Sequence, residues 1–306
     1  MLSHDLDSYI VLQRARGLKF TTQTSPLKSF VAVAEAAGDT HIRTARVLQW
    51  AARTTSDEQA RNRLAIVRRF AEHLTIVDPA HEVPPADAFG RWQFEQRMPH
   101  IYTGAEIAEL MAAARHIGPP GAIRGETLAT MIGLLAAIGL RVSEALGLDL
   151  EDVTEDGLVI RETKFRKNRL VPLHPSASVA LEGYIQRRRL VPVVAANSLF
   201  LGDHGRRPAY TSLYALFLRI ARETGLRGLP GEKGPRLHDL RHTFAVRSLE
   251  TCGSDRRAIS RHMLALTTYL GHADPSHTWW YLRATATNTC GARQGRCRLR
   301  ITVRSA

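Results

Sequence analysis

Leu158-Val159-Ile160-Arg161-Glu162-Thr163-Lys164-Phe165-Arg166-Lys167-Asn168-Arg169-Leu170-Val171-Pro172-Leu173 is the one stretch of this 306-residue chain that reads convincingly as β-structure. Apolar runs at 158–163 and 169–173 flank the polar Lys164–Asn168, the pattern of two strands and a hairpin turn. The surroundings are helical. Upstream, Thr103-Gly104-Ala105-Glu106 is a capping box that predicts a helix through Arg115. The apolar run from Leu128 to Leu140 is too short to cross a bilayer and predicts a helix buried on all sides. Downstream, further helices are expected near 175–189, 211–224 and 239–251. The fold class is mainly α with a small β-sheet.

The first ninety residues predict four helices, near 5–16, from Pro26 to Gly38, near 42–53, and from Ser56. Ser25-Pro26 supplies an N-cap with proline at the first helical position, and Gly38 the stop. Ser56-Asp57-Glu58-Gln59 is a second capping box, with Leu64, Val67 and Leu74 on one side of its helix and Arg61, Arg68 and Arg69 elsewhere. A proline-rich, weakly periodic run from Asp78-Pro79 to Pro99 is the candidate linker. The expected division is a helical domain at 1–90, a linker at 91–102, a second domain at 103–285 and a tail at 286–306.

The formal charge is +13, and it is uneven: residues 1–97 carry net +2 and residues 98–306 net +11. Such a surplus points to a polyanionic partner. Three cysteines (Cys252, Cys290, Cys297) form neither a disulfide framework nor a CxxC pair, as expected of a cytoplasmic protein. The opening Met1-Leu2-Ser3-His4-Asp5 lacks the basic and apolar regions of a signal peptide, and no membrane association is expected.

Three clusters carry possible chemistry: Gly139-Leu140-Arg141-Val142-Ser143-Glu144; Leu237-His238-Asp239-Leu240-Arg241-His242-Thr243-Phe244; and Leu270-Gly271-His272, with Tyr281 nine residues after that histidine. Cutting a phosphodiester requires a nucleophile, charge stabilisation on the non-bridging oxygens and a proton for the leaving alkoxide. Neither a carboxylate cluster of the kind that holds Mg²⁺ nor a Gly-x-x-x-x-Gly-Lys loop is found, so no metal or cofactor is expected. Arginines can take the metal's place, because a planar fork binds two phosphate oxygens at once. A tyrosine beside such cations can attack phosphorus and form a covalent ester, and a lysine on the hairpin is suited to protonating the leaving oxygen. Each residue also has a plain structural reading: Arg141 as a partner for Glu144, His238 as a helix cap, Lys164 as a solvated turn cation, Tyr281 as core. His238 and His242, four apart, have zinc-protease spacing, but the glutamate and a third ligand of that motif are missing.

Together these clusters resemble the tyrosine recombinase (phage integrase) family over about residues 100–285. The resemblance implies Arg141 as a phosphate ligand supported by Glu144, Lys164 as the hairpin lysine with Lys167 as the near alternative, His238 and Arg241 as the His-x-x-Arg box, His272 in the third box and Tyr281 as nucleophile. It also implies a helical core-binding domain joined to a mixed α/β catalytic domain. The two would close as a clamp on double-stranded DNA, as a homotetramer on two DNA sites, with or without partner recombinases. Arg61, Arg68, Arg69, Arg166, Lys167 and Arg169 are the candidate DNA contacts. The expected activity is site-specific cleavage and rejoining through a 3′-phosphotyrosyl intermediate, by a protein of a mobile element acting at the nucleoid.

Residues 283–306 depart from that family. They hold six arginines, no acid and no amphipathic period, where a docking helix is expected. The segment reads as a basic arm or as a shifted frame or worn element end, and it is expected to be mobile without DNA. The competing functions are therefore a catalytically impaired DNA-binding remnant and, next, a type IB topoisomerase.

Overall fold

Ser56 accepts a hydrogen bond from the Gln59 backbone N–H at 3.2 Å and starts α4 (Asp57–Leu74) where its sequence predicts. The computed structural model describes residues 1–54, 56–90, 97–119, 121–161, 168–192, 197–252 and 255–271. The chain divides into two units, Met1–Gln96 and Arg97–Ala306.

In the first unit α4 packs with α1 (Leu2–Ala15), α2 (Thr21–Ala36) and α3 (Thr44–Ala51). Phe30, Trp50, Leu64 and Phe70 are among the residues of their shared core. Trp50 satisfies its indole N–H on Ser29 Oγ at 3.2 Å, so the ring is buried without an orphan donor. The second helix corrects its expected start. It begins at Thr21 behind a left-handed Phe20, and Pro26 lies inside it. Burial of Leu27, Phe30, Val31 and Ala34 outweighs the cost of an interior proline.

The described segments on either side of residues 91–96 are each held within their own unit. Ile42 N–H donates to His81 Nδ1 at 3.1 Å and Glu82 N–H to the Ile42 carbonyl at 2.9 Å, fixing the segment after α4 to its own unit. In the second unit Tyr102 is buried, its hydroxyl donates to the Arg236 carbonyl at 3.0 Å, and its backbone N–H donates to Thr243 Oγ1 at 2.9 Å.

That second unit opens with α5 (Gly104–Arg115). Its capping box is complete: Thr103 Oγ1 accepts from Glu106 N–H at 3.1 Å, and Glu106 Oε2 from Thr103 N–H at 2.6 Å. The apolar α6 (Ile123–Ile138) is its centre, packed by α5, α8 (Pro175–Arg189), α9 (Tyr210–Glu223) and α10 (Leu237–Glu250). Then come the short α7 (Val142–Gly147) and an antiparallel sheet in the order β1 (Val153–Thr154), β2 (Gly157–Ile160), β3 (Arg169–Val171). The last rung pairs Ile160 with Arg169. The final helix among the described residues, α11 (Arg256–Leu270), was not foreseen; Asp255 caps its start and Gly271 its end. The fold is mainly helical with one small sheet.

Candidate functional site

Gly139 ends α6 in the left-handed region at φ 63°, and a Cβ there would lie 2.4 Å from Phe244 Cδ1 on α10. Only glycine permits both the turn and this approach. The turn delivers Arg141 to the N-terminus of α7, where Glu144 reaches back one turn. Glu144 Oε2 accepts from the Arg141 backbone N–H at 2.9 Å and Oε1 from Arg141 Nη1 at 2.7 Å. The guanidinium also donates through Nη2 to the Gly271 carbonyl at 3.0 Å.

On α10, Arg236 and Asp239 close the helix start: Asp239 Oδ2 accepts from Arg236 N–H at 2.9 Å and Oδ1 from Arg236 Nη2 at the same distance. Asp239, not His238, therefore makes the cap, and His238 is left on the exposed face of the first turn. One turn on, Arg241 is only 1% exposed. Its Nη1 donates to the Gly139 carbonyl and its Nη2 to the Leu270 carbonyl, both at 2.7 Å. These carbonyls lie at the C-terminal ends of α6 and α11, where unsatisfied oxygens and the helix dipole favour a cation. Arg241 Nη1 is also 4.0 Å from Glu144 Oε2. A buried guanidinium is tolerable only when hydrogen-bonded and compensated in this way.

Arg169, at the start of β3, completes the group with Nη1 3.0 Å from Glu144 Oε1 and Nη2 2.8 Å from Oε2. Burial pushes the Glu144 carboxyl up. The Arg169 hydrogen bonds, the Arg141 backbone N–H, the Arg169 charge and the Arg141 side-chain hydrogen bond outweigh it and bring its pKa down to about 2. Three guanidiniums thus share one carboxylate, and the excess positive charge suits an oxyanion.

His238 is pushed below the ordinary histidine value by the surrounding protein and then by the Arg241 charge. Solvent reaches the ring, so the Arg241 charge is the firmer cause, and both leave the imidazole neutral at pH 7. Its ring meets that of His242 edge-on at 4.8 Å. Tyr269, on α11, stacks on Phe244 at 5.5 Å. Burial pushes its hydroxyl up to about 12 against the lowering charges of Arg169 and Arg241, so it is held protonated.

Lys164, Arg166, Lys167, His272 and Tyr281 lie outside the described residues. Among the expected DNA contacts, Arg61 donates to the Phe89 carbonyl at 3.2 Å and Arg68 to the Pro84 carbonyl at 3.0 Å. Arg68 also pairs with Glu72 at 2.7 Å. Both brace the 84–89 segment, while Arg69 is exposed. What the sequence did not flag is the role of the Gly139, Leu270 and Gly271 carbonyls. Their signal was present in the two glycines that follow apolar helical runs.

Among the described residues, His41, Asp78 and His81 form a cluster with metal-ligand chemistry, in the first unit. Asp78 Oδ2 is 3.0 Å from His41 Nε2. The lone pair on His81 Nδ1 already accepts the Ile42 N–H, which leaves Nε2 as the protonated nitrogen of a neutral ring. That arrangement fits a hydrogen-bonded brace better than a ligand set.

The family model described as "Phage integrase family" matches residues 101–288. A putative integrase/recombinase y4rB of Sinorhizobium fredii is 35% identical over 286 residues, covering 90% of this chain and 91% of its own. Tyrosine recombinase XerD of Halalkalibacterium halodurans is 30% identical over 246 residues, covering 75% of this chain and 74% of its own. A lambda integrase dimer bound to a core site shares the fold with a TM-score of 0.62 at 17% identity, covering 98% of this chain and 80% of that one. For a lambda integrase tetramer bound to a Holliday junction the TM-score is 0.59 at 17% identity, with 90% and 78% covered. Among the described residues no helix is long and apolar enough to cross a membrane. With its arginine boxes set at helix ends around one carboxylate, and with relatives matched over nine-tenths of its length, the chain belongs to the phage integrase family of tyrosine recombinases and is a site-specific DNA recombinase.

Proposed function

We propose that this recombinase cuts and rejoins DNA through a 3′-phosphotyrosyl bond to Tyr281, with Arg141, Lys164, His238, Arg241 and His272 as its machinery. The observation that carries the reading is the convergence of Arg141 and Arg241, from two different helices, on Glu144 at 2.7 and 4.0 Å. Two guanidiniums fixed in this way can hold the non-bridging oxygens of one phosphate, and losing one such donor typically lowers the rate by about 10²–10³. His272 follows Gly271, whose carbonyl accepts from Arg141, which supports its inclusion.

In the cleavage step the Tyr281 oxygen forms a bond to phosphorus while its proton passes to His238, whose depressed pKa leaves it a free lone pair at neutral pH. The bond from phosphorus to the 5′ oxygen breaks, and Lys164 supplies the proton that the leaving oxygen takes up. The new ester keeps the energy of the old one, so rejoining is the same step in reverse and needs no ATP.

The first unit is the core-binding domain in this reading, and the second the catalytic domain. The active species is a tetramer on two DNA sites, a reading supported by the likeness in fold to a lambda integrase tetramer bound to a Holliday junction. The two Sinorhizobium relatives named as putative integrases/recombinases support an origin in a mobile element. Tyr281→Phe should bind DNA with nearly unchanged affinity and form no protein–DNA adduct that survives denaturant on a nicked suicide substrate. An adduct at wild-type level in that variant would remove Tyr281 from its role, and with it the proposed chemistry.

A further inference from the structure

Arg169 stands where a sequence reading puts a DNA contact, in the basic hairpin, yet its side chain is turned inward and 15% exposed. Both terminal nitrogens lie on Glu144 in a bidentate fork, at 3.0 and 2.8 Å. The same two carboxylate oxygens hold Arg141, one through its side chain at 2.7 Å and one through its backbone at 2.9 Å. Glu144 is thus a shared bracket gripped from both sides, by β3 and by the start of α7. Gly271 packs against the bracket as well. A Cβ on it would lie 3.0 Å from Arg169 Nη1 and 3.8 Å from Arg141 Nη1.

We propose that Arg169 is a positioning residue: it fixes Glu144, and through Glu144 the Arg141 guanidinium, rather than neutralising a DNA phosphate. The inference rests on the proposed role of Arg141 at the scissile phosphate. Arg141 alone would hold this carboxylate by one guanidinium nitrogen and one backbone N–H, whereas the Arg169 fork grips both oxygens again from the opposite side and fixes its plane. A displacement of about 1 Å in a group that orients the reacting atoms costs about 10² in rate. Lysine keeps the charge but has no fork, so it should not replace Arg169.

The test separates binding from cleavage. With Arg169→Ala, DNA affinity should stay within about twofold and the salt-dependence slope should not change, because no phosphate contact is lost. Single-turnover cleavage at saturating DNA should fall by about 10- to 100-fold, and Arg169→Lys should recover little of it. In a Glu144→Gln background, where the bracket is already loosened, the same change should cost less than about threefold further. Arg169→Gln, which keeps one donor, serves if the alanine variant does not fold as judged by its melting midpoint. A slope shallower by about 0.9 would make Arg169 a phosphate ligand and overturn the proposal. Unchanged cleavage at saturation, or full additivity with Glu144→Gln, would overturn it equally. If the wild-type chain forms no Tyr281 adduct, the proposed chemistry fails on its own, and the slope still decides which way Arg169 faces.

Discussion

Arg241 and Arg141 are the same residue type in different circumstances. Arg241 is 1% exposed, and each of its terminal nitrogens gives one hydrogen to a helix-end carbonyl. Arg141 is 28% exposed at its side chain and depends on Glu144 and Gly271 for its orientation. The first is fixed by the packing of α10 against α6 and α11, the second by a carboxylate that needs its own support. Neither arginine can release a proton at working pH, so the proton for the leaving oxygen has to come from elsewhere. Lys164 is the candidate, and its role can be read separately from charge stabilisation. A 5′ sulfur in place of the leaving oxygen needs little protonation. Lys164→Ala should therefore be slow on ordinary DNA, by about 10²-fold or more, and largely restored on the sulfur substrate. Arg141→Ala should be slow on both. Rescue of Lys167→Ala instead of Lys164→Ala would move the role three residues along the hairpin.

At the scale of elements, the site is a meeting of helix ends, and Gly139 is where the fit is tightest. A methyl at Gly139 would face both an unfavourable φ and the Phe244 ring at 2.4 Å. The backbone term alone costs about 1–2 kcal/mol, and overpacking adds about 1–3. Gly139→Ala should then lower the melting midpoint by about 5–10 °C, and adding Phe244→Leu should restore the steric part but not the backbone part. An unchanged midpoint would mean that the α6–α10 junction is looser than these distances imply.

Such junctions explain which elements were legible. The Thr103 box and the Ser56 cap were readable because a cap is written within four residues, although at Ser56 only the Gln59 N–H bond of the expected box is made. The largely buried α6 was readable from Leu128 onward, where it is almost wholly apolar; its first turn, with Arg124 and Glu126, was not. By contrast, α7 has six residues, too few to show a period. In α11 the stripe Met263, Leu266, Thr267, Leu270 has helical spacing, but it is short, and Arg256, Arg257, Arg261 and His262 make the half of the helix before it strongly polar. The boxes around Arg141, Glu144, His238 and Arg241 were visible as motifs. The inward turn of Arg169 was not, because its partner Glu144 lies 25 residues away and a strand residue's side is set by what packs on the sheet.

At the scale of the whole molecule, the decisive quantity is where the charge lies. Net +11 belongs to residues 98–306, and Arg293, Arg296, Arg298, Arg300 and Arg304 contribute five cations after Thr285 with no acid among them. Each phosphate that a cation neutralises releases counterions and adds about 0.9 to the slope of log affinity against log salt. A chain ending after Thr285 should bind DNA more weakly at low salt, with a slope shallower by up to about 4–5 if all five reach phosphates. It should still form the Tyr281 adduct on short duplexes, because Arg141, Lys164, His238, Arg241, His272 and Tyr281 all precede the cut. Its self-association on DNA should also change little, since a segment without an apolar stripe has nothing to bury against a neighbouring subunit. The two measurements separate the possible roles of this end of the chain. A shallower slope with intact assembly makes it an electrostatic arm. An unchanged slope with lost assembly makes it a docking element whose cations face a neighbouring subunit and not DNA.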